Sequence, residues 1–245
     1  ACFRINRKMK TVLITGSNSG IGFATVQLFL KHKYKVFAHY NQNRNNLDSI
    51  KNDKLILVKS DLNSLAQTEE LFKKVLQGTK SIDVLVNNAG IYASVNNFSE
   101  LNLQSLDDVF NVNVKSPFLL SMRFVELMKD YKRGRIINIS SIGVKYGGSV
   151  NSMPYTISKA ALEAMTVSFA KEGAKYNILV NALRVGVTNT GIHDKSNNKN
   201  MNKRVEMIPL KRMAEPEEIA EYILFLSSEQ CNFTTGSIIT IAGGE

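Results

Sequence analysis

Tryptophan is missing from this chain, cysteine occurs twice and proline four times. Cys2 and Cys231 stand near opposite ends with no metal-ligand spacing, which argues against a disulfide framework, a zinc site or sulfur redox chemistry. No metal is expected. No Pro, Gly or Ser tract divides the 245 residues, so residues 9–245 read as one domain around one large core. No apolar run approaches the roughly 20 residues that span a bilayer, and the N-terminus lacks the apolar centre of a secretory signal. A soluble protein without a membrane partner is expected, cytoplasmic or in an organelle. Acidic residues are also short: 31 Lys and Arg face 21 Asp and Glu, for a net charge of +10. The excess is scattered and has no aromatic interleaving, which favours a solvated basic surface over a nucleic-acid partner. Met9 stands just before the first apolar strand, and Ala1–Lys8 read as an appendage outside the fold.

What remains is a regular alternation. Apolar runs of strand length occur at Thr11–Thr15, Lys35–His39, Leu55–Lys59, Val84–Asn87, Arg135–Ser140, Ile178–Leu183 and Ser237–Ile241. Between them, helical spacing covers Ile21–Lys31, Ser64–Leu76, Leu103–Lys129, Pro154–Tyr176 and Pro216–Ser228. Strands alternating with helices predict an α/β fold: a doubly wound, Rossmann-like parallel sheet of about seven strands with helices on both faces. Asn189–Met207 breaks the rhythm, being rich in Asn and Lys. It follows a strand on the expected ligand side, and is expected to be a flap.

Thr15–Gly22 leaves the first strand and enters the first helix. Its glycines, spaced GxxxGxG, permit a tight turn and close approach of backbone to a pyrophosphate, with donors from the helix N-terminus. Asn87-Asn88-Ala89-Gly90 follows the fourth strand; it either lines a ribose or is an ordinary turn. Further on, Tyr155 and Lys159 lie four residues apart on one helix face, preceded by Asn113 and Ser141. An ammonium beside a phenol draws the Tyr pKa down from about 10. That pair reads as an acid or base for hydride transfer.

In order and spacing these stretches resemble the short-chain dehydrogenase/reductase family, and within it the 3-oxoacyl-[acyl-carrier-protein] reductases. The matching stretches are TGSNSGIG at 15–22, Asp61, NNAG at 87–90, Asn113 in NVNVKSPF, GRIINISS at 134–141, YTISK at 155–159, VNALRVG at 180–186 and TTGSIITIAGG at 234–244. The resemblance implies an NAD(P)(H)-dependent oxidoreductase. Tyr155 would be the general acid for a carbonyl oxygen, and Ser141 would orient that oxygen. Lys159 would lower the Tyr155 pKa and hold a ribose, and Asn113 would anchor a water leading to Lys159. It further implies Gly16, Ser19, Ile21 and Gly22 at the phosphates, with Asn87, Ala89 and Gly90 beside adenosine. Asp61 and Leu62 would lie near adenine, and Val187 and Thr190 near the carboxamide. The chain departs from the family at Val185, where proline is usual, and at Ala242, where an acidic residue is common.

Cofactor choice turns on the end of the second strand, where a carboxylate would bind the ribose 2′-hydroxyl and repel a 2′-phosphate. Phe37–Leu47 has none. His39, Tyr40, Asn41, Gln42 and Arg44 offer donors, so NADP(H) is expected over NAD(H). The resemblance also implies a 3-oxoacyl thioester substrate, acyl carrier protein as an acidic partner drawn to Lys132, Arg133 and Lys175, and a homotetramer or homodimer. Another carbonyl or alcohol substrate, such as a sugar, steroid or xenobiotic, is the alternative within the fold. A dinucleotide sensor without catalysis is the alternative outside enzymology.

Overall fold

The seven strands expected from the apolar runs pair in a single parallel sheet in the computed structural model, which describes residues 9–93, 97–191 and 201–245. They are β1 (Thr11–Ile14), β2 (Lys35–Tyr40), β3 (Leu55–Lys59), β4 (Val84–Asn87), β5 (Gly134–Ser141), β6 (Ile178–Val185) and β7 (Ile238–Ile241). The spatial order is β3-β2-β1-β4-β5-β6-β7. β1 and β4 are buried along their whole lengths, because a parallel sheet is covered on both faces; hence the uninterrupted apolar runs of the sequence.

Alternate strand residues feed two cores, as the strand period of two requires. Val12, Ile14, Val36 and Val86 pack under α1 (Gly20–Lys31) and α9 (Pro216–Ser227), through Phe29, Ile219 and Ile223. Leu13, Phe37, Leu85 and Ile136 pack under α3 (Leu65–Gly78), α5 (Ser116–Tyr131) and α7 (Met153–Ala174). Phe124 on α5 is fully buried and meets Phe72 edge to face at 5.1 Å. Burial of such a side chain contributes about 2 kcal/mol. The helix starts follow local chemistry: the Ser64 hydroxyl accepts from Gln67 N–H at 3.3 Å, and Glu215 and Glu218 form a reciprocal cap ahead of Pro216.

Two departures from the expected elements matter for the site. The helix expected over 103–129 is α4 (Leu103–Phe110) and α5 joined by a π-helical turn, Asn111–Lys115, which carries Asn113. Short helices α2 (Asn45–Asp48), α6 (Gly143–Tyr146) and α8 (Met201–Glu206) fill connections read as loops. Residues 1–8 lie outside the described residues, as do 192–200 of the expected flap. The described flanks of that flap are anchored: Asn189 N–H donates to the Ala214 carbonyl at 2.8 Å, and Ile208 is buried. No helix among the described residues is long and apolar enough to cross a membrane.

Candidate active site

The strand order reverses between β1 and β4, and a crevice opens there beyond the carboxyl ends of the strands. On its floor the glycine turn is held from three sides. Gly16 and Gly20 have φ of +66° and +52°, the left-handed region open to glycine at little cost. A Cβ on Gly16 would come within 2.8 Å of Ala89 Cα, and one on Gly22 within 2.1 Å of the Gly16 carbonyl oxygen. Thr15 Oγ1 accepts from Asn88 and Ala89 N–H, both at 3.0 Å, while Asn88 Nδ2 donates to the Thr15 and Gly16 carbonyls at 2.9 and 3.0 Å. Asn88 and Ala89 are therefore stapled to the glycine turn. On the third side Gly16 N–H donates to His39 Nδ1 at 3.1 Å. Helix α1 starts beside this turn without a side-chain cap, leaving its first N–H groups for a ligand.

His39 corrects an expectation. The sequence places it among donors for a 2′-phosphate, but it is 2% exposed and both ring nitrogens are engaged, Nε2 with the Ser60 carbonyl at 3.0 Å. Since Nδ1 accepts from Gly16, the proton sits on Nε2. Burial pushes its pKa down to about 4, so the ring is neutral near pH 7.

At the other end of the crevice, β5 delivers Ser141 and α7 delivers Tyr155 and Lys159. The Ser141 hydroxyl stands close enough to Tyr155 to favour its phenolate, and it accepts from Gly143 N–H at 3.2 Å. Ser140 points the other way and donates to Glu163 at 2.7 Å, as strand alternation demands. Lys159 Nζ lies 5.5 Å from the Tyr155 ring centroid and donates to the Ile139 carbonyl at 2.7 Å. Burial lowers the Lys159 pKa to about 8 and, outweighing the nearby Ser141 hydroxyl, raises that of Tyr155 to about 12. The expectation that Lys159 draws the phenol down is therefore not met in this arrangement: its ammonium is turned to a carbonyl, and removal from water dominates both groups.

Asn113 is fully buried in the π turn. Its Oδ1 accepts from Ile91 N–H at 2.9 Å, and its Nδ2 donates to the Ile91 carbonyl and the Ser158 hydroxyl, both at 3.0 Å. Gly90 leaves the space between Asn113 and Lys159: a Cβ there would stand 3.5 Å from Asn113 Oδ1 and 3.4 Å from Lys159 Nζ.

The crevice is a cleft of about 560 Å³. Of the residues expected from sequence, Gly16, Ser19, Ile21, Tyr40 and Asn41 line one end and Ser141, Tyr155 and Lys159 the other, with Ala89, Gly90 and Thr190 also on its wall. Others stand behind the wall. Gly22 packs under the turn, and Leu62 and Val187 are buried. Asn87 is buried too, donating to Asn138 Oδ1 at 2.8 Å. Asp61 accepts from Asn63 N–H at 2.9 Å and from Asn41 Nδ2 at 3.4 Å. Arg44 sits in an adjacent hollow with Tyr40, Gln42 and Lys59, and pairs with Asp48 at 3.1 Å. Sequence reasoning missed Asn18 and Tyr92, both on the wall. The Asn18 Oδ1 is buried without a partner among the described residues, and the Tyr92 ring stands 5.2 Å from that of Tyr155. Asn18 lies within the glycine turn but gives no sign in the sequence of its buried, unmet acceptor, and Tyr92 carries no motif; the crossing of separate chain segments reveals both.

Lys132, Arg133 and Lys175 precede β5 and β6, at the opposite sheet edge from the cleft. The eight residues of β5 put Gly134 and Ser141 seven steps apart, about 23 Å at about 3.3 Å per step. Arg133 pairs with Glu229 and Lys175 with Glu172.

The chain matches the family model described as "Enoyl-(Acyl carrier protein) reductase" over residues 16–245. It is 38% identical to a 3-oxoacyl-[acyl-carrier-protein] reductase of Thermotoga maritima, over 96% of this chain and 97% of the relative. It is 36% identical to an acetoacetyl-CoA reductase of Shinella zoogloeoides, over 96% and 98%. Among solved structures, a 4-hydroxyisoleucine dehydrogenase complexed with NADH superposes with a TM-score of 0.88 at 33% identity, covering 96% of this chain and 98% of that one. A glycine turn stapled beneath a helix start, with serine, tyrosine and lysine gathered at the far end of the same cleft, accords with these matches: the chain belongs to the short-chain dehydrogenase/reductase family of oxidoreductases.

Proposed function

We propose that this protein reduces a carbonyl to an alcohol with NADPH, and that the carbonyl is the 3-oxo group of an acyl thioester carried on acyl carrier protein. The observation that carries the reading is the meeting of Ser141 and Tyr155 at one end of a cleft whose other end is the glycine turn. The residues fit a dinucleotide. A Cβ at Gly16 or Gly20 would close the cradle, coming within 2.8 Å of Ala89 and 2.7 Å of Thr190. Asn18 Oδ1 is an acceptor without a partner among the described residues.

When bound, a reduced nicotinamide supplies the hydride that the carbonyl carbon receives. Ser141 Oγ donates a hydrogen bond to the carbonyl oxygen, stabilising the negative charge that develops there. Tyr155 gives its phenolic proton to the same oxygen as the general acid. A phenol of pKa about 12 keeps its proton at neutral pH and releases it only to a stronger base, which a developing alkoxide is. Lys159 retains donors beyond the one spent on Ile139 and holds a ribose hydroxyl. Asn113 holds the Ile91 backbone and, through Ser158, the start of α7. Gly16, Ser19 and the first turn of α1 take the phosphates.

The NADP preference is supported by the absence of a carboxylate from Phe37–Leu47 and by Lys59 and Arg44 in the hollow that shares Tyr40 with the cleft. The thioester substrate is supported by what the two curated relatives are named for. Assembly into homodimers or homotetramers is supported by apolar side chains left exposed on α5 and α7, among them Phe118 and Ile157, which sedimentation would test.

The test is NADPH oxidation with acetoacetyl-CoA and with acetoacetyl groups on acyl carrier protein. Turnover is expected with the 3-oxo thioesters, fastest on the carrier protein; absence with both removes the substrate. The family model, described for enoyl reduction, raises a second reading, reduction of an enoyl thioester. Crotonyl thioesters in the same assay decide it, and faster turnover of crotonyl than of acetoacetyl groups would replace the first reading.

A further inference from the structure

Behind the reacting side chains lies a buried ionic group that no motif marks. Glu163 is on α7, eight residues beyond Tyr155 and four beyond Lys159, so the three share one helix face. The residue is 8% exposed. Arg184 of β6 grips it with two arms, Nε donating to Oε1 at 2.9 Å and Nη2 to Oε2 at 2.6 Å. Ser140 of β5 donates to the same Oε1 at 2.7 Å, and Ser140 and Arg184 are register partners in the sheet.

One carboxylate thus ties α7 to the last residues of two strands. Its neighbours on the helix lie along the same strand: Lys159 donates to the Ile139 carbonyl at 2.7 Å, and Tyr155 stands beside the Ser141 side chain on the cleft wall. Three successive turns of α7 therefore face three successive residues of β5, two of them through hydrogen bonds. Ser140 is held on the buried side of the strand, which fixes where the next residue, Ser141, points into the cleft. Arg184 directly precedes Val185 and Gly186, both on the cleft wall. A bidentate guanidinium–carboxylate pair fixes angle as well as distance, and a displacement of about 1 Å at reacting groups costs on the order of 100-fold in rate.

We propose that Glu163, gripped by Arg184, is a positioning residue that sets the tyrosine helix against the end of β5 so that the Tyr155 and Ser141 hydroxyls converge on one substrate oxygen. The proposal rests on the reductase reading above. Its test uses the full chain with NADPH and acetoacetyl-CoA, together with NADPH binding followed by nucleotide fluorescence. Glu163→Gln keeps the size and one acceptor for Ser140 but removes the charge facing Arg184. Its kcat is expected to fall about 10-fold or more, with KM and the NADPH Kd within about 2-fold of the parent. A folded Glu163→Gln protein with unchanged kcat overturns the proposal, as does a loss of NADPH binding that accounts for the loss of rate. Should Glu163→Gln fail to fold, Ser140→Ala leaves the ion pair and removes only the hydroxyl tie. It is expected to lower kcat about 3-fold at unchanged KM, and an unchanged kcat overturns the proposal equally. A wild-type protein inert toward every carbonyl would remove the reductase reading and this proposal together, whereas an active wild type with unaffected variants removes this proposal alone.

Discussion

Acid should loosen the glycine turn through His39, by an amount that can be worked out from its surroundings. The ring is neutral in the fold because burial lowers its pKa from the ordinary 6.5 to about 4. The unfolded chain therefore binds a proton that the folded one refuses. The stabilisation is fully present above pH 6.5 and is lost as pH falls toward 4. A depression of about 2.5 pKa units corresponds to about 3 kcal/mol, a large part of a typical stability of about 5–15 kcal/mol. Protonation would also replace the Nδ1 acceptor of Gly16 N–H by a second donor. Urea unfolding at a series of pH values measures the effect, and His39→Asn isolates it, since the amide oxygen can still accept from Gly16 without titrating. The parent is expected to lose about 3 kcal/mol more than the variant between pH 7 and pH 4. Parallel pH profiles for the two proteins, or a His39 ring found by NMR to titrate near 6.5, would refute the reasoning.

Tyr155→Phe removes the phenolic proton and keeps the ring; kcat should fall by about 100- to 10,000-fold, with NADPH binding by fluorescence retained. Gly22→Ala drives a methyl to within 2.1 Å of the Gly16 carbonyl and should lower stability by about 2 kcal/mol or more, read as a drop in the urea midpoint together with weakened NADPH binding. Arg44→Ala should raise KM for NADPH several-fold and leave KM for NADH unchanged; equal effects on both would count against a 2′-phosphate contact. Comparable specificity constants for the two cofactors in the parent would remove the NADP preference itself.

Much of the architecture could be read without coordinates because strand runs and helical periods are local signals. Six of the seven strands match to within a residue at either end, and β6 extends two residues beyond its expected C-terminus. Helices α2, α6 and α8 escaped because elements of four to six residues carry too few turns to show a period. The π turn at Asn111–Lys115 escaped because its one extra residue per turn leaves the apolar pattern on both sides nearly intact. The glycine turn and the Tyr155–Lys159 spacing were legible as contiguous motifs. Tyr92 and Glu163 were not, since each acquires its neighbours from distant segments.

The sequence by itself determined the parallel sheet, the order of its elements, the phosphate-type turn and the identity of the residues gathered at the far end of the cleft. These follow from periodicity and from backbone demands that a few adjacent residues meet. The tertiary structure decided what those residues experience. It turned the Lys159 ammonium toward a backbone carbonyl, raised the phenol instead of lowering it, made His39 a prop of the glycine turn, and put Lys132, Arg133 and Lys175 at the wrong edge of the sheet to face the cleft. Burial and partner choice depend on which distant segments meet, and spacing along a chain does not encode that.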